Sequence, residues 1–216
     1  SLVGVGLHTG KNVTLTFKPA EQNSGYSFRR IDLEGTPIIK ADANYVTNTQ
    51  RGTCLEKNGV TIQTCEHVLA ALVGLEIDNV CIELDASEPP IMDGSSKFFI
   101  EALESTGIVQ LEAMREEYVI REVVSYKDEE TGSEITMIPS DEYQVTTMVD
   151  FGTKVLGTQN ATLEHISDFK DEISAARTFS FLHEIEMLLE HGLIKGGDLN
   201  NAIVYVDKEL SEETME

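Results

Sequence analysis

Glu66 and His67, two neighbouring residues, could form the centre of a hydrolytic metal site. They stand where apolar alternation over 60–62 gives way to apolar residues at helical spacing over 68–72, so both should open a helix. A neutral imidazole is a good zinc ligand, and an adjacent carboxylate can take a proton from water that zinc acidifies. Taken alone, the pair more often marks a solvated first turn, which the helix macrodipole favours. Other residues must therefore decide between these two interpretations.

A glycine-rich segment over 4–11 has the composition of a phosphate-binding loop but not its spacing. A P-loop requires glycine where Val5 stands and a hydroxyl residue where Asn12 stands. We also expect no strand before this segment, which removes the context that such a loop needs. The segment is therefore predicted to be a glycine turn. His8 within it is either a histidine satisfied by hydrogen bonds or a residue with a direct catalytic role.

The first half of the chain has the alternating pattern of antiparallel strands, followed by two helices. Strands are predicted over 13–19, 26–30, 53–55, 60–62 and 80–84. Asn58 and Gly59 predict a tight hairpin turn, because both residues accept positive φ. Of the two helices, the first ends at Gly74, and the second is capped by Ser95 or Ser96.

The pattern repeats in outline after the charged stretch 112–117, which we take as the domain boundary. Strands are predicted over 118–124, 134–138, 143–151 and 202–206, and helices over 168–176 and 182–191. Runs of strands and helices, in place of strict alternation, indicate an α+β protein. We therefore expect two α+β domains, residues 1–115 and 116–216.

The composition excludes several classes of partner. With 16 basic and 38 acidic residues, the chain carries a net charge of −22, which repels nucleic acid and anionic lipid surfaces. No apolar run approaches the roughly 20 residues of a membrane span, so we do not expect an integral membrane protein. The three cysteines lack a metal-site or redox spacing and are expected to be small buried hydrophobes in a reducing compartment. The chain does not begin with methionine, and we expect it to be a piece of a longer protein.

Several motifs, in a fixed order along the chain, carry a resemblance to a known family. They are Gly4-Val5-Gly6-Leu7-His8-Thr9-Gly10, Arg29-Arg30-Ile31-Asp32-Leu33, Glu66-His67-Val68-Leu69-Ala70-Ala71-Leu72, Ile77-Asp78-Asn79, Pro90-Ile91-Met92-Asp93-Gly94-Ser95 and Arg177-Thr178-Phe179. From its first residue to about Val206 the chain closely resembles the zinc-dependent UDP-3-O-acyl-N-acetylglucosamine deacetylases of lipid A biosynthesis. Within that family it is most similar to the variant fused at its C-terminus to a 3-hydroxyacyl-acyl carrier protein dehydratase.

The resemblance implies chemical roles for three side chains. Glu66 would be the base that activates water, His67 a zinc ligand, and Thr178 a hydrogen-bond donor to the oxygen of the tetrahedral intermediate. The family's remaining zinc ligands come from a His-Lys-x-x-Asp motif, and they are expected beyond Glu216. The present residues alone are therefore expected to be inactive. Arg177 is expected to make a structural ion pair, with contact to an anionic substrate as the alternative.

The resemblance also implies a substrate site that continues into a passage for a long acyl chain. Phe179 would line the sugar site. The expected passage residues are Leu182, Ile185, Ile194, Gly197, Asp198 and Val204. Gly197 would let the backbone approach the chain closely. Without the resemblance, apolar residues at this spacing indicate ordinary core more often than a passage.

The fold implied by the resemblance has two similar domains, each a mainly antiparallel sheet with two helices. The helices pack between the two sheets, and the active site lies at the junction. The implied activity is removal of the N-acetyl group from UDP-3-O-(3-hydroxyacyl)-N-acetylglucosamine in the cytoplasm, with release of acetate. A C-terminal dehydratase domain, and oligomerisation through it, are implied as well. The alternative is a non-catalytic, truncated fragment of the same fold that binds only an acyl chain or a protein partner.

Overall fold

The structure is a computed structural model that describes residues 1–206. Its first half contains β1 (Leu2–Val5), β2 (Asn12–Pro19), β3 (Tyr26–Arg30), β4 (Ile38–Lys40), β5 (Val46–Asn48), β6 (Cys54–Lys57), β7 (Val60–Ile62), α1 (Glu66–Gly74), β8 (Val80–Leu84) and α2 (Lys97–Thr106). A short 3₁₀ helix, Ala43–Tyr45, precedes β5. A five-stranded sheet has the order β1-β2-β8-β3-β4, and β5, β6 and β7 form a separate three-stranded sheet. All strand pairs in these sheets are antiparallel except β3 with β8.

The hydrophobic core lies between the five-stranded sheet and the two helices. Strand β2 alternates as the sequence predicts, since Val13 and Leu15 are buried while the threonines between and after them are partly exposed. Both helices bury one face against this sheet. The buried helix residues are Val68, Ala71 and Leu72 of α1, and Phe99, Ile100 and Leu103 of α2. The burial of these faces fixes the rotation of each helix about its own axis.

The hairpin between β6 and β7 confirms the turn predicted from sequence. Lys57 pairs with Val60 across the turn, and the two residues between them both have positive φ, 53° for Asn58 and 77° for Gly59. Two consecutive positive φ values are the signature of a type I′ turn, which matches the twist of the flanking strands. The second strand of the hairpin, β7, leads directly to the start of α1.

The second half consists of small sheets and short helices. Its elements are β9 (Val124–Lys127), β10 (Glu134–Met137), β11 (Val145–Asp150), β12 (Thr158–Leu163), α3 (Phe169–Glu172), β13 (Phe179–Phe181), α4 (Leu182–Glu190) and β14 (Ile203–Tyr205), with a 3₁₀ helix at Ile166–Asp168. Strands pair as β9 with β10, β11 with β12, and β13 with β14, the last pair being parallel. The α+β class is therefore confirmed. The arrangement as two similar domains with helices between two sheets stays a prediction.

Several elements differ from the sequence-based predictions. The expectation of no strand before the glycine segment is wrong, because β1 pairs with β2 as an edge strand whose single neighbour leaves little alternation to detect. The strand predicted over 118–124 begins only at Val124. The helix predicted over 168–176 is limited to α3, because the N–H groups of both Ile173 and Ser174 bond to the carbonyl of Phe169, and the second bond spans five residues in place of the four of an α-helix.

The start of α2 is held differently from a simple serine cap. Ser96 occupies the N-cap position, but its hydroxyl donates to the carbonyl of His67 at 3.0 Å and makes no capping bond. Ser95 Oγ accepts from the N–H of Lys97 at 3.2 Å, so the neighbouring serine satisfies one free amide of the helix. The Ser96 hydroxyl thereby ties the start of α2 to the start of α1, while Ser95 caps α2 itself.

Gly74, at the end of α1, joins the two halves of the chain. The ring of Phe169 packs directly on this glycine, and a Cβ at position 74 would overlap it. The contact places α3 against the C-terminal end of α1. Among the described residues, 1–206, no helix is long and apolar enough to cross a membrane.

We predict that Gly74→Ala destabilises the protein. Alanine normally stabilises a helix relative to glycine by about 0.5–1 kcal/mol, but overpacking against Phe169 should cost about 1–3 kcal/mol. The net free energy of unfolding should therefore fall, as measured by urea titration. Val73→Ala, an exposed neighbour in the same helix, is the matched control and should change it by less than about 0.5 kcal/mol. Increased stability of Gly74→Ala would contradict the contact.

Candidate active site

The turn between β7 and α1 forces Glu66 and His67 into the first turn of the helix. Thr64 has φ 51°, a left-handed conformation that a β-branched residue rarely adopts. Such a conformation costs on the order of 1–3 kcal/mol and persists only where the surroundings hold it. Here the Thr64 hydroxyl donates to Glu88 Oε1 at 2.8 Å, and the next amide, that of Cys65, bonds to the carbonyl of Thr53.

The Glu66 carboxylate is half-buried, and a hydrogen bond from the segment 51–53 holds it in place. Its Oε2 accepts a hydrogen bond from the N–H of Thr53 at 2.9 Å. Its Oε1 lies beside Gly52, where an added Cβ would stand 3.4 Å from it and 3.7 Å from His8 Nε2. Glu66 therefore has one oxygen fixed by a backbone amide, while the other faces the same space as the His8 ring. A carboxylate fixed in this way is oriented for proton transfer.

The His67 imidazole is suited to metal binding in its protonation state. Burial lowers its pKa from the ordinary value, and the carboxylates of Glu66 and Asp93 oppose that effect. At neutral pH the ring is therefore neutral, as a metal ligand must be. Within residues 1–206 no group of three His, Cys, Asp or Glu side chains is close enough together to hold an ion. His67 fits one zinc ligand, and the described residues do not complete a set of three.

Both ring nitrogens of His8 are engaged in hydrogen bonds. The N–H of Ile194 donates to Nδ1 at 3.4 Å, so Nε2 carries the hydrogen that it donates to the Arg51 carbonyl at 3.1 Å. The backbone N–H of His8 bonds to the buried carboxylate of Glu88. Of the two readings of His8, a hydrogen-bonded turn histidine is therefore favoured, and this histidine lies next to Glu66.

Thr178 lies in the loop before β13, close to the segment that follows Asp93. Its N–H donates to the carbonyl of Gly94 at 2.7 Å, and its carbonyl accepts from Ile203 at 3.0 Å. A Cβ at Gly94 would overlap the carbonyl of Asn201 and stand 3.1 Å from Thr178 Cγ2. A glycine is therefore required at position 94, because of the Asn201 carbonyl and of its own φ of 85°.

A small pocket brings together part of the predicted site. Its lining residues are Leu7, His8, Arg51, Thr178, Phe179, Ser180, Leu188, Ile194 and Ala202. Phe179 and Ile194 of the predicted substrate residues are thus placed beside His8 and Thr178. Leu182, Ile185 and Val204 are not among the lining residues, and the Leu182 side chain is 41% exposed.

The loop before β14 approaches the loop between β1 and β2 at Gly196, where a Cβ would overlap the carbonyl of Gly6. The predicted approach of Gly197 to an acyl chain stays a prediction. The Asp198 carboxylate accepts from the N–H groups of Asn200 at 2.7 Å and Asn201 at 3.1 Å. These bonds make Asp198 a turn residue, whose side chain shapes the loop.

Within residues 1–206, Arg177 forms no ion pair with a carboxylate, so the predicted ion pair is not found there. Its guanidinium donates to two backbone carbonyls, those of Asp93 at 2.6 Å and Leu199 at 3.1 Å. The Asp93 carboxylate is already occupied, because it accepts from the N–H and hydroxyl of Ser95. These bonds favour a structural role for Arg177, in which backbone carbonyls take the place of a carboxylate.

Four residues near the site were not singled out from sequence. Arg51 pairs with Glu184 at the start of α4, and hydrogen bonds from Arg51 lower the pKa of the Glu184 carboxyl. Thr64 and Glu88 form the buried contact described above. An arginine with an acid on a distant helix leaves no pattern in sequence. Glutamate is rarely buried in proteins, so the sequence alone predicts that Glu88 lies at the surface.

The whole chain, residues 1–216, matches the family model described as UDP-3-O-acyl N-acetylglycosamine deacetylase. A bifunctional LpxC/FabZ enzyme of Bacteroides thetaiotaomicron is 47% identical over 214 residues, which are 99% of this chain and 46% of that protein. A UDP-3-O-acyl-N-acetylglucosamine deacetylase of Myxococcus xanthus is 44% identical over 205 residues, which are 94% of this chain and 65% of that protein. The chain spans about half the length of the bifunctional relatives it matches.

We predict that the Cys65 thiol is unreactive in the folded protein. Burial, with the Glu66 charge as a second cause, raises the pKa of this thiol to about 12. A raised thiol pKa means less thiolate, on the order of one molecule in ten thousand at pH 8, and only the thiolate is alkylated. Mass spectrometry after iodoacetamide treatment should find Cys65 unmodified in native protein and modified in urea. Rapid native labelling of Cys65 would contradict the burial of this turn.

Proposed function

The chain belongs to the UDP-3-O-acyl N-acetylglycosamine deacetylase family, and from this membership we propose that the whole protein removes the N-acetyl group of UDP-3-O-(3-hydroxyacyl)-N-acetylglucosamine. The reaction releases acetate and serves lipid A biosynthesis in the cytoplasm. One observation supports the proposal most strongly, namely Glu66 and His67 side by side on the first turn of α1, with Glu66 fixed by the Thr53 amide.

Glu66 is the general base in this proposal. Its carboxylate takes a proton from the water that attacks the acetyl carbonyl and can return it to the departing nitrogen. The Thr53 N–H, at 2.9 Å from Oε2, holds one oxygen in place and leaves Oε1 facing the space beside Gly52. The Glu66 carboxylate therefore has a fixed direction before substrate binds, which lowers the entropic cost of reaching the reacting geometry.

His67 is one ligand of a zinc ion in this proposal. Its buried, neutral imidazole supports that role, and the remaining ligands are expected beyond Glu216. Zinc, when bound, lowers the pKa of water to about 7 and polarises a carbonyl. The hydrogen bond from Ser96 Oγ to the His67 carbonyl fixes the backbone that carries the ring, so its direction is set by the starts of both helices.

Thr178 and Phe179 are proposed to bind the reacting part of the substrate. The Thr178 hydroxyl would donate to the oxygen on which negative charge develops, and Phe179 would pack against the sugar. Both residues line the pocket that also contains His8. The backbone bonds of Thr178 to Gly94 and Ile203 hold it at the boundary between the chain's two halves.

An acyl passage is proposed to begin at the same pocket. Ile194 lines it together with Leu7 and Leu188, so apolar side chains from both halves meet there. Leu182, Ile185, Gly197, Asp198 and Val204 are proposed to extend the passage. We retain the division into domains 1–115 and 116–216 as a proposal, with the pocket at their junction.

The bifunctional LpxC/FabZ names of two relatives support a further proposal about the whole protein. We propose that it continues into a 3-hydroxyacyl-acyl carrier protein dehydratase domain and that it associates through that domain. A dehydratase would act on the same class of 3-hydroxyacyl group that the deacetylase substrate carries.

We predict that Glu66→Gln and His67→Ala separate catalysis from metal binding in the full-length protein. Glu66→Gln should keep zinc but lower kcat by roughly 100- to 10,000-fold, since a general base contributes that much. His67→Ala should lower zinc content, measured by plasma emission spectrometry. Glu83→Gln is the matched control, because this partly buried acid on β8 pairs with Lys18 and Arg29 away from the site. Equal loss of zinc in both site variants would reject the base assignment for Glu66.

We also predict that Ile194→Trp makes the full-length enzyme selective for short acyl chains. Tryptophan would fill volume otherwise taken by distal methylenes, each worth about 0.8 kcal/mol when buried. The ratio kcat/KM should therefore fall much more for a long 3-hydroxyacyl substrate than for a short one. Ile203→Trp, at a position that is 37% exposed, is the control. Equal losses for both substrates with a lower Tm would indicate ordinary core and reject the passage.

A further inference from the structure

Glu88 is a fully buried carboxylate that the proposed reaction does not use. It follows β8, has 0% of its surface exposed, and accepts hydrogen bonds from three groups. The donors are the N–H of His8 at 3.0 Å, the N–H of Thr9 at 2.8 Å and the hydroxyl of Thr64 at 2.8 Å. Within residues 1–206 no lysine, arginine or histidine forms an ion pair with it. The charge is balanced by amide and hydroxyl dipoles, an arrangement that depends on every donor staying in place.

The loop between β1 and β2 is built around this carboxylate. A Cβ on Gly6 would stand only 2.5 Å from Glu88 Oε2, so a side chain at position 6 would displace it. Successive N–H groups that point at one anion are a common way for a loop to bind a carboxylate. Glu88 therefore helps to hold the loop that carries His8, through the amides of His8 and Thr9.

The third donor connects Glu88 to the helix that carries the candidate base. Thr64 stands two residues before Glu66 and has the strained φ of 51°. Strain of this kind persists only when neighbouring groups fix the residue. The hydrogen bond from the Thr64 hydroxyl to Glu88 fixes Thr64 in this way. Without this bond the turn could relax, and the start of α1 would rotate.

A second connection runs through the His8 ring. Nε2 of His8 donates to the carbonyl of Arg51, and two residues later the N–H of Thr53 holds Glu66 Oε2. Glu88 thus acts on Glu66 from two sides, through the turn at Thr64 and through the segment 51–53. The first connection is one hydrogen bond, from Thr64 to Glu88, and the second joins Glu88 to Glu66 through the His8 loop and the segment 51–53.

We propose that Glu88 is a positioning residue for the deacetylation, which fixes the Glu66 carboxylate through Thr64 and His8 without touching substrate. The inference rests on the proposed function for its kinetic consequence. Its structural part, that Glu88 holds both the His8 loop and the start of α1, can be measured without activity.

The first test is Glu88→Gln in the full-length, zinc-loaded protein. Glutamine keeps the length of the side chain, but its NH₂ group cannot accept and would face N–H and O–H donors. We expect kcat per folded molecule to fall about 10- to 100-fold, the scale of a misplaced catalytic group. KM should change by less than about threefold, because the backbone of Thr178, which is proposed to bind substrate, is held by Gly94 and Ile203 and not by Glu88. Glu83→Gln, the control for removing a charge on β8, should retain kcat within about twofold.

The second test compares Thr64→Val with Thr64→Ser, in case Glu88→Gln does not fold. Valine has the shape of threonine without the hydroxyl, whereas serine keeps the hydroxyl. We expect a loss of kcat about tenfold or more for valine and a loss below about threefold for serine. Thr106→Val removes a hydroxyl that bonds within α2 and controls for the substitution itself. The kcat of the double variant Glu88→Gln/Thr64→Val should be no more than about threefold below that of Glu88→Gln. The two substitutions remove the same hydrogen bond, so their effects on kcat should not add.

Amide hydrogen exchange completes the test. In Glu88→Gln, the amides of His8, Thr9 and the first turns of α1 should exchange at least about tenfold faster, while those of β2 and β8 stay unchanged. Unchanged local exchange, or a lower Tm with unchanged kcat per folded molecule, would overturn the proposal. If the unmodified full-length protein releases no acetate, the proposed function fails, and the exchange result still decides whether Glu88 holds these segments.

Discussion

The hydrogen bond between the Thr64 hydroxyl and the buried Glu88 carboxylate is the interaction on which the candidate site depends. It holds a β-branched residue in the left-handed region, and this single turn sends the chain from β7 directly into α1. The apolar face of α1, with Val68 and Leu72 fully buried, fixes the rotation of the helix. The turn at Thr64 and the buried face of α1 together fix the position of Glu66, whose carboxylate bonds to the Thr53 amide and lies beside the His8 ring.

Close backbone contacts at glycines assemble the site from both halves of the chain. Gly74 contacts the ring of Phe169. Gly94 contacts Thr178 and the carbonyl of Asn201, and Gly196 contacts the carbonyl of Gly6. At each of these positions a Cβ would overlap its neighbour, so the approach is possible only without a side chain. The N–H of Gly196 also bonds to the carbonyl of Leu7 at 3.0 Å, which fixes the distance between the His8 loop and the segment that carries Ile194. The pocket that His8 and Thr178 line is therefore formed by close packing at glycines between the two halves of the chain.

Local patterns predicted what local physics determines, and the rest depends on contacts distant in sequence. The helix from Glu66 to Gly74 and the hairpin at Asn58 and Gly59 follow from apolar spacing and turn residues, and both are confirmed. The edge strand β1 and the early end of α3 were missed, because the first has one neighbour and the second ends in a bond that spans five residues, from Ser174 to Phe169. Glu88 could not be identified as buried, since its partners His8, Thr9 and Thr64 lie far away in sequence. The roles of Thr178 and the passage residues came from family resemblance alone and stay predictions.

Acetate release is the measurement that tests the central claim most directly. The purified full-length protein would be incubated with UDP-3-O-(3-hydroxyacyl)-N-acetylglucosamine, and both acetate and the nucleotide product would be quantified by mass spectrometry. Removal of an N-acetyl group by water at the site of Glu66 predicts one acetate per nucleotide consumed, a product lighter by one acetyl group with a free amine, and loss of both signals after chelation with recovery on adding zinc. A protein that binds this substrate yet leaves its N-acetyl group intact in the presence of zinc would contradict the account.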